Sequence, residues 1–152
     1  MTDVHNAERR SANMRAIRQK NTSPEIQIRR LLFAQGLRFR LHVKSLPGSP
    51  DIVLAKYKVA VFVHGCFWHG HACHLFKVPA TRTEFWMDKI QSNCNRDVRD
   101  EAKLLSAGWR VLTVWECALK GKAKRSIDEI VTDMVAWILE PEAAAQLTIQ
   151  HR

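Results

Sequence analysis

Hydrophobic positions along this chain change their period several times, and each change marks an element. Between Thr22 and Gly36 the apolar residues Ile28, Leu31 and Leu32 fall at i, i+3 and i+4. Thr22 and Ser23 offer N-caps, Pro24 suits a first helical position and Gly36 ends the turn, so a short amphipathic helix is predicted. Arg38 to Val43 (R-F-R-L-H-V) alternates polar with apolar residues, as a strand with one wet face does. The loop S-L-P-G-S-P then delivers the chain to Asp51, at the head of D-I-V-L-A. Val59 to Val63 (V-A-V-F-V) predicts a buried strand, and the A-K-Y-K link between the two runs predicts a hairpin. Such a hairpin sets residues near Asp51 across from residues near Val63 and brings Asp51 towards His64.

The second half reads as helix, strand, helix. A long helix opens at Phe85 and runs to about Ala107, with Phe85, Ile90, Cys94, Val98 and Leu105 inward and Lys89, Arg96, Arg99 and Lys103 outward. Gly108 ends it, and W-R-V-L-T-V-W is a strand by its β-branched and aromatic content, reaching Glu116 and Cys117. A helical crossover permits this strand to lie parallel to the Val59 strand, which would carry Cys117 to Cys66. Ser126 and Glu129 form a capping box for a last helix with Ile127, Ile130, Val131, Met134, Trp137 and Ile138. Pro141 follows it, and the tail beyond shows no signal.

Length and charge narrow the class. The 152 residues suit a single domain, with a basic arm at 1–22 and a C-terminal tail at 141–152. Twenty-four Lys and Arg against 15 Asp and Glu give +9, which favours a polyanionic partner such as nucleic acid. Arg9, Arg10, Arg15, Arg18 and Lys20 form either a solvated arm or one that orders on a phosphate backbone. Lys120, Lys122, Lys124 and Arg125 make a second basic patch. The first 20 residues hold no apolar signal core, and no apolar run approaches the roughly 18 residues of a membrane span. A cytoplasmic protein without a membrane partner is expected.

The chemistry concentrates after the Val59 strand. In a reducing compartment four cysteines favour metal binding or free thiols over disulfides. Cys66 and Cys73 flank His69 and His71, His74 lies just beyond, and Cys117 arrives from a later strand. That set supplies a Cys3His zinc site in which any of the three histidines could be the fourth ligand. Cys94 sits apart, on the apolar face of the long helix. Phe67 and Trp68, like Phe85 and Trp86, either pack beneath the metal site or project as wedges that stack on bases. Asp51 and His64 offer one hard oxygen ligand and one imidazole for a divalent cation and a proton transfer, although Asp is also a common turn residue. Glu25, in a first helical turn, suits a capping or dipole-stabilising carboxylate.

Five stretches together resemble the very short patch repair endonucleases, bacterial enzymes that nick DNA at T·G mismatches left by deamination of 5-methylcytosine. They are N-M-R-A-I, L-P-G-x-P-D ending at Asp51, H-G-C-F-W-H from His64 to His69, L-F-K-V-P-A-T-R-T-E-F-W from Leu75 to Trp86, and G-W-R-V-L-x-V-W-E-C ending at Cys117. The resemblance implies an α/β, restriction-endonuclease-like core, a central mixed sheet flanked by helices, without the usual second acidic residue and lysine. It implies that Asp51 binds magnesium together with the backbone carbonyl of residue 63, a Thr in the family and Val63 here. His64 and His69 match active-site histidines: His69 is assigned as general base and His64 to the phosphate or leaving oxygen, roles that could be exchanged. Glu25 matches a carboxylate that reaches magnesium-bound water. A structural zinc carries over onto Cys66, His71, Cys73 and Cys117, with Gly70 and Ala72 departing from a more histidine-rich stretch. Phe67, Trp68 and Trp86 match aromatics that wedge into DNA beside the mismatch.

The implied substrate is double-stranded DNA, nicked 5′ of the T of a T·G pair within a short site such as C-T-A/T-G-G. The implied setting is a monomer, associated with the nucleoid when bound to DNA, with mismatch-repair proteins as partners. Two other classes compete. A zinc-stabilised DNA-binding module would need the charge, aromatics and cysteines but neither Asp51 nor His69. A related nuclease with another DNA substrate would keep everything.

Overall fold

The computed structural model describes residues 20–152. Arg9, Arg10, Arg15 and Arg18 of the basic arm, and the N-M-R-A-I motif, lie outside the described residues. The first helix, α1 (Ser23–Ala34), starts where its caps predict: the Thr22 side chain accepts from the Glu25 N–H, and Pro24 occupies the first turn. Ile28 and Leu32 are fully buried. Beyond it, β1 (Arg40–Leu41), β2 (Ile52–Leu54) and β3 (Val59–His64) form an antiparallel meander. The hairpin is as expected, with Val53 opposite Ala60 and Lys58 turning the link at φ 54°.

The strand expected over Arg38–Val43 contracts to two residues, and both are exposed. His42 leaves the extended region at φ 49°, while its N–H donates to the Asp51 carbonyl at 3.1 Å. The regular strand therefore ends where the chain reaches the Asp51 loop, although backbone contact continues there, the Val43 N–H donating to the Pro50 carbonyl at 3.3 Å.

After β3 come α2 (Thr83–Ser106), β4 (Arg110–Trp115), the short α3 (Glu116–Leu119), α4 (Ile127–Leu139) and β5 (Gln146–Ile149). β4 runs parallel to β3, and β5 parallel to β4, completing a mixed sheet in the order β1-β2-β3-β4-β5. Register pairs His64 with Trp115, so β3 and β4 end flush and release Cys66 and Cys117 side by side. One sheet face packs Ile52, Val61, Leu112 and Val114 against Ile28 and Leu32 of α1 and Ile130, Met134 and Ile138 of α4. On the other face Ala60 and Val111 meet Leu104 of α2. The segment after Pro141, in which the sequence shows no element, carries β5 and buries Ile149. Among the described residues no helix is long and apolar enough to cross a membrane.

The buried face of α2 differs from the one that its apolar residues predict. Ile90 and Leu104 are buried, whereas Val98 is 69% and Phe85 46% exposed. Polar residues take the inward positions instead, because α2 also supports the loop that follows β3. Asn93 donates to the Trp68 carbonyl at 3.0 Å, and the Cys94 thiol meets the His69 carbonyl at 3.2 Å. Contact is close enough that a Cβ on Gly70, itself at φ 59°, would stand 2.8 Å from Ile90 Cγ2. Glycine there is what lets the loop lie against the helix.

Candidate functional site

Two centres lie beyond the C-terminal ends of β3 and β4. The first is built on the β2–β3 hairpin. Asp51 accepts a 2.7 Å hydrogen bond from the Val63 N–H, which fixes its carboxylate at the end of the sheet. Glu25 of α1 and His42, just past β1, join it: the three offer ligand atoms all within 4.8 Å of one another. Glu25 is only 1% exposed, and three groups hold it: the Asn21 N–H at 3.2 Å, Arg29 Nη1 at 3.1 Å and His42 Nε2 at 2.8 Å. A reciprocal capping box would return Glu25 to the Thr22 N–H; here it bonds the preceding N–H and faces the cluster, so its role exceeds capping. Burial, reinforced by the Glu25 charge, lifts the Asp51 carboxyl from 3.8 to about 6, although the Val63 hydrogen bond pulls the other way.

His64 and His69 form the adjoining cluster with Asp97 of α2. Their rings stack at 3.7 Å, and His64 also lies 5.2 Å from Trp115. Burial, and then the neighbouring His69, depress His64 to about 3, so its ring is neutral at physiological pH. His69 Nδ1 lies 2.5 Å from Asp97 Oδ2. That bond orients the ring and leaves Nε2 as the nitrogen available for proton transfer. His64 directly follows Val63, whose N–H holds Asp51, and stacks on His69, which joins the two clusters into one corner. The hairpin therefore sets Asp51 against the Val63 N–H, with Glu25 and His42, while His64 groups with His69.

Asp97 is the residue that sequence reasoning missed. A lone carboxylate on the face of α2 shared by Ile90 and Leu104 was the available signal, since charged residues are seldom turned inward without a partner.

The second centre gathers Cys66, His71, Cys73 and Cys117, with all donor atoms within 4.8 Å of one another. His71 Nδ1 lies 3.6 Å from Cys66 Sγ and 3.5 Å from Cys117 Sγ. Those are the sulfur–nitrogen edges, about 3.5–3.6 Å, of a tetrahedron with ordinary zinc bond lengths. The donor set therefore fits zinc, and the choice among three histidines falls on His71. His69 is turned to Asp97, while His74 Nε2 is buried without a hydrogen-bond partner among the described residues. Burial raises the Cys66 and Cys117 thiols above their ordinary values, so a divalent cation is what would hold them as thiolates. Cys94 stays outside, as its position on α2 predicts.

Outer partners orient these ligands. His71 Nε2 meets Gln150 Oε1 at 2.9 Å, its ring stacks on Trp115 at 4.1 Å, and the His151 N–H donates to Cys117 Sγ at 3.4 Å. Gln150 and His151 are brought there by β5, so they had no sequence signal.

Between α2 and the zinc loop, Phe67, Trp68 and Trp86 form a half-buried cluster with ring centroids 5.2–5.8 Å apart. Phe76 and Phe85 extend it. The rings pack on one another beside the metal loop and still present part of their surface to solvent.

Comparisons with known proteins bear on the family and the fold. Residues 2–75 match the family described as DNA mismatch endonuclease Vsr. The DNA mismatch endonuclease Vsr of Escherichia coli strain K12 is 51% identical over 150 residues, covering 99% of this chain and 96% of that protein. A type II nicking enzyme of Neisseria meningitidis serogroup A, V.NmeAIP, is 49% identical over 123 residues, covering 81% and 88%. Among solved structures, the catalytic domain of the homing endonuclease I-Bth0305I matches 81% of this chain and all of that domain with a TM-score of 0.53. At 21% identity this last likeness shows the fold, an endonuclease-type α/β core.

Proposed function

The chain belongs to the DNA mismatch endonuclease Vsr family, and from that premise we propose that it nicks double-stranded DNA 5′ of the T in a T·G mismatch. The observation that carries the proposal is one corner holding the Val63-anchored Asp51 beside the Asp97–His69 pair. Two carboxylates within 4.8 Å of one another offer the hard oxygen donors that magnesium takes. Asp51 would hold the ion, Glu25 would reach its water shell, and the Val63 carbonyl would serve whatever side chain residue 63 carries. Magnesium bound there supplies charge to polarise the scissile phosphate and acidify water.

The remaining steps belong to the protein. His69 Nε2 takes a proton from the attacking water, and the Asp97 carboxylate stabilises the imidazolium that results. His64, neutral through burial, donates a hydrogen bond to the phosphate or the leaving oxygen. Cys66, His71, Cys73 and Cys117 would hold zinc, which would keep the loop that carries His69 rigid. Phe67, Trp68 and Trp86 enter the base stack, where unstacking is easiest beside an imperfect pair. The proposal includes a monomeric cytoplasmic enzyme, nucleoid-bound through its DNA site, that hands its nick to mismatch-repair proteins.

A second reading is a nicking enzyme whose recognition sequence differs, and relatives named as type II nicking enzymes favour it. End-labelled T·G and T·A duplexes in C-T-A-G-G and in scrambled context, with magnesium or EDTA, separate the two. Magnesium-dependent nicking confined to T·G, lost in Asp51→Ala while DNA binding persists, is the expected outcome. Cleavage indifferent to the mismatch would sink the repair role and leave the nuclease.

A further inference from the structure

We propose that Trp115 is a positioning residue: its ring rests on His71, the histidine of the zinc set, and fixes the orientation of His64 beside His69. The inference deepens the nuclease reading of that corner and rests on it.

The reason begins with how His64 is held. Among the described residues its imidazole makes no hydrogen bond to the protein, whereas the His69 ring is oriented by Asp97. Three rings surround it instead, with centroids at 5.7 Å for Phe62, 3.7 Å for His69 and 5.2 Å for Trp115. A side chain placed by packing alone is held only as firmly as the groups around it.

Trp115 is restrained from two directions. Its ring lies parallel to the His71 imidazole, with centroids 4.1 Å apart and planes at 8°. Register pairs it with His64 at the last positions of β4 and β3, and each of the two stands two residues ahead of a cysteine of the zinc set, Cys117 and Cys66. The Cys66 N–H donates to Glu116 Oε1 at 3.3 Å, which ties the two strand ends together again. Zinc on this donor set would immobilise His71 and both strand ends, and with them the ring that His64 meets. Among the described residues Trp115 is the one ring that meets both groups: the zinc set through His71, and the active pair through His64 and through His69 at 6.2 Å.

The effect falls on rate, because a reacting group misplaced by about 1 Å costs on the order of 100-fold. The competing account is that Trp115 only backs His71, while Phe62 and His69 place His64.

Three-bond couplings from the backbone to His64 Cγ, measured by NMR on the zinc-loaded protein without DNA, report the His64 rotamer independently of activity. One rotamer is expected in the natural protein and in Trp115→Phe, which keeps a ring against His71. Averaging between rotamers is expected in Trp115→Leu, with one equivalent of zinc in all three proteins. Single-turnover nicking of the T·G duplex should slow in Trp115→Leu by on the order of 100-fold at unchanged DNA affinity, and Trp115→Phe should recover most of that rate. A single His64 rotamer in Trp115→Leu, loss of its zinc, or an undiminished rate despite averaging overturns the proposal. Rotamer averaging in the natural protein overturns it without any variant. The expected rotamers without nicking by the natural protein would sink the nuclease reading alone.

Discussion

The zinc corner and the Asp51 corner stand at the same end of β3 and are built in opposite ways. The zinc corner uses three sulfurs and one imidazole at tetrahedral spacing, two of its four ligands fully buried, with Gln150 and His151 closing it from the last strand. The Asp51 corner uses oxygen and imidazole donors, each already engaged by a protein hydrogen bond, and leaves His69 partly open to solvent. A closed donor set binds and holds; an open one, oriented by neighbours, has room for substrate. What separates the two is the turn at Gly65–Gly70, which sends His69 towards α2 and His71 towards β4.

Removing a ligand from the closed corner should therefore cost folding. Cys117→Ala is expected to abolish stoichiometric zinc and to release a large part of the roughly 10 kcal/mol that such a site contributes, read as a lower melting temperature and rapid proteolysis within the zinc loop. Unchanged melting with zinc absent would show that packing alone holds the loop.

In the open corner the same kind of change should spare the fold. Asp97→Asn is expected to slow nicking by on the order of 10²–10⁴-fold through loss of the His69 orientation, with zinc content and melting unchanged. A rate within a factor of two of the natural enzyme would remove His69 as the general base.

Asp51 sharpens the contrast, because its burial makes the folded metal-free protein less stable. With its carboxyl raised from 3.8 to about 6, the folded state binds the proton more tightly than the unfolded state does, so stability falls as pH rises between those values. Asp51→Asn should then stabilise the magnesium-free protein by up to about 3 kcal/mol above pH 6 and by nothing below about pH 4, measured by denaturant titration at both pH values. Magnesium should narrow the gap.

The smallest effect belongs to the outer shell. Gln150→Ala should speed zinc loss to a chelator by about 10–100-fold while the four ligands stay in place. An unchanged rate would mean that Trp115 stacking alone orients His71.

Much of this was legible beforehand, and the exceptions share a cause. Thr22, Ser23 and Pro24 announced α1, and the A-K-Y-K link announced the hairpin that sets Asp51 against Val63. The parallel crossover correctly delivered Cys117 to Cys66. By contrast, the face of α2 was misread, because Val98 is apolar and exposed while Asp97 is charged and turned to His69. Strand β5 was unseen because the polar–apolar alternation of Gln146–Ile149 lasts only four residues, and what holds it is long-range pairing with β4.

The sequence by itself pointed to the family and to most of the residues gathered at the two centres, Asp97 and His42 excepted: the cysteine and histidine spacing suggested zinc, and the ordered motifs a mismatch endonuclease. Local rules reach that far because caps, turns and periodicity act over a few residues. Only the tertiary structure decided that His71 rather than His69 or His74 joins the three cysteines, that Asp97 pairs with His69, and that His42 stands beside Glu25 and Asp51. Those choices depend on how helix α2 and the sheet edges meet in space, where distance along the chain carries no information.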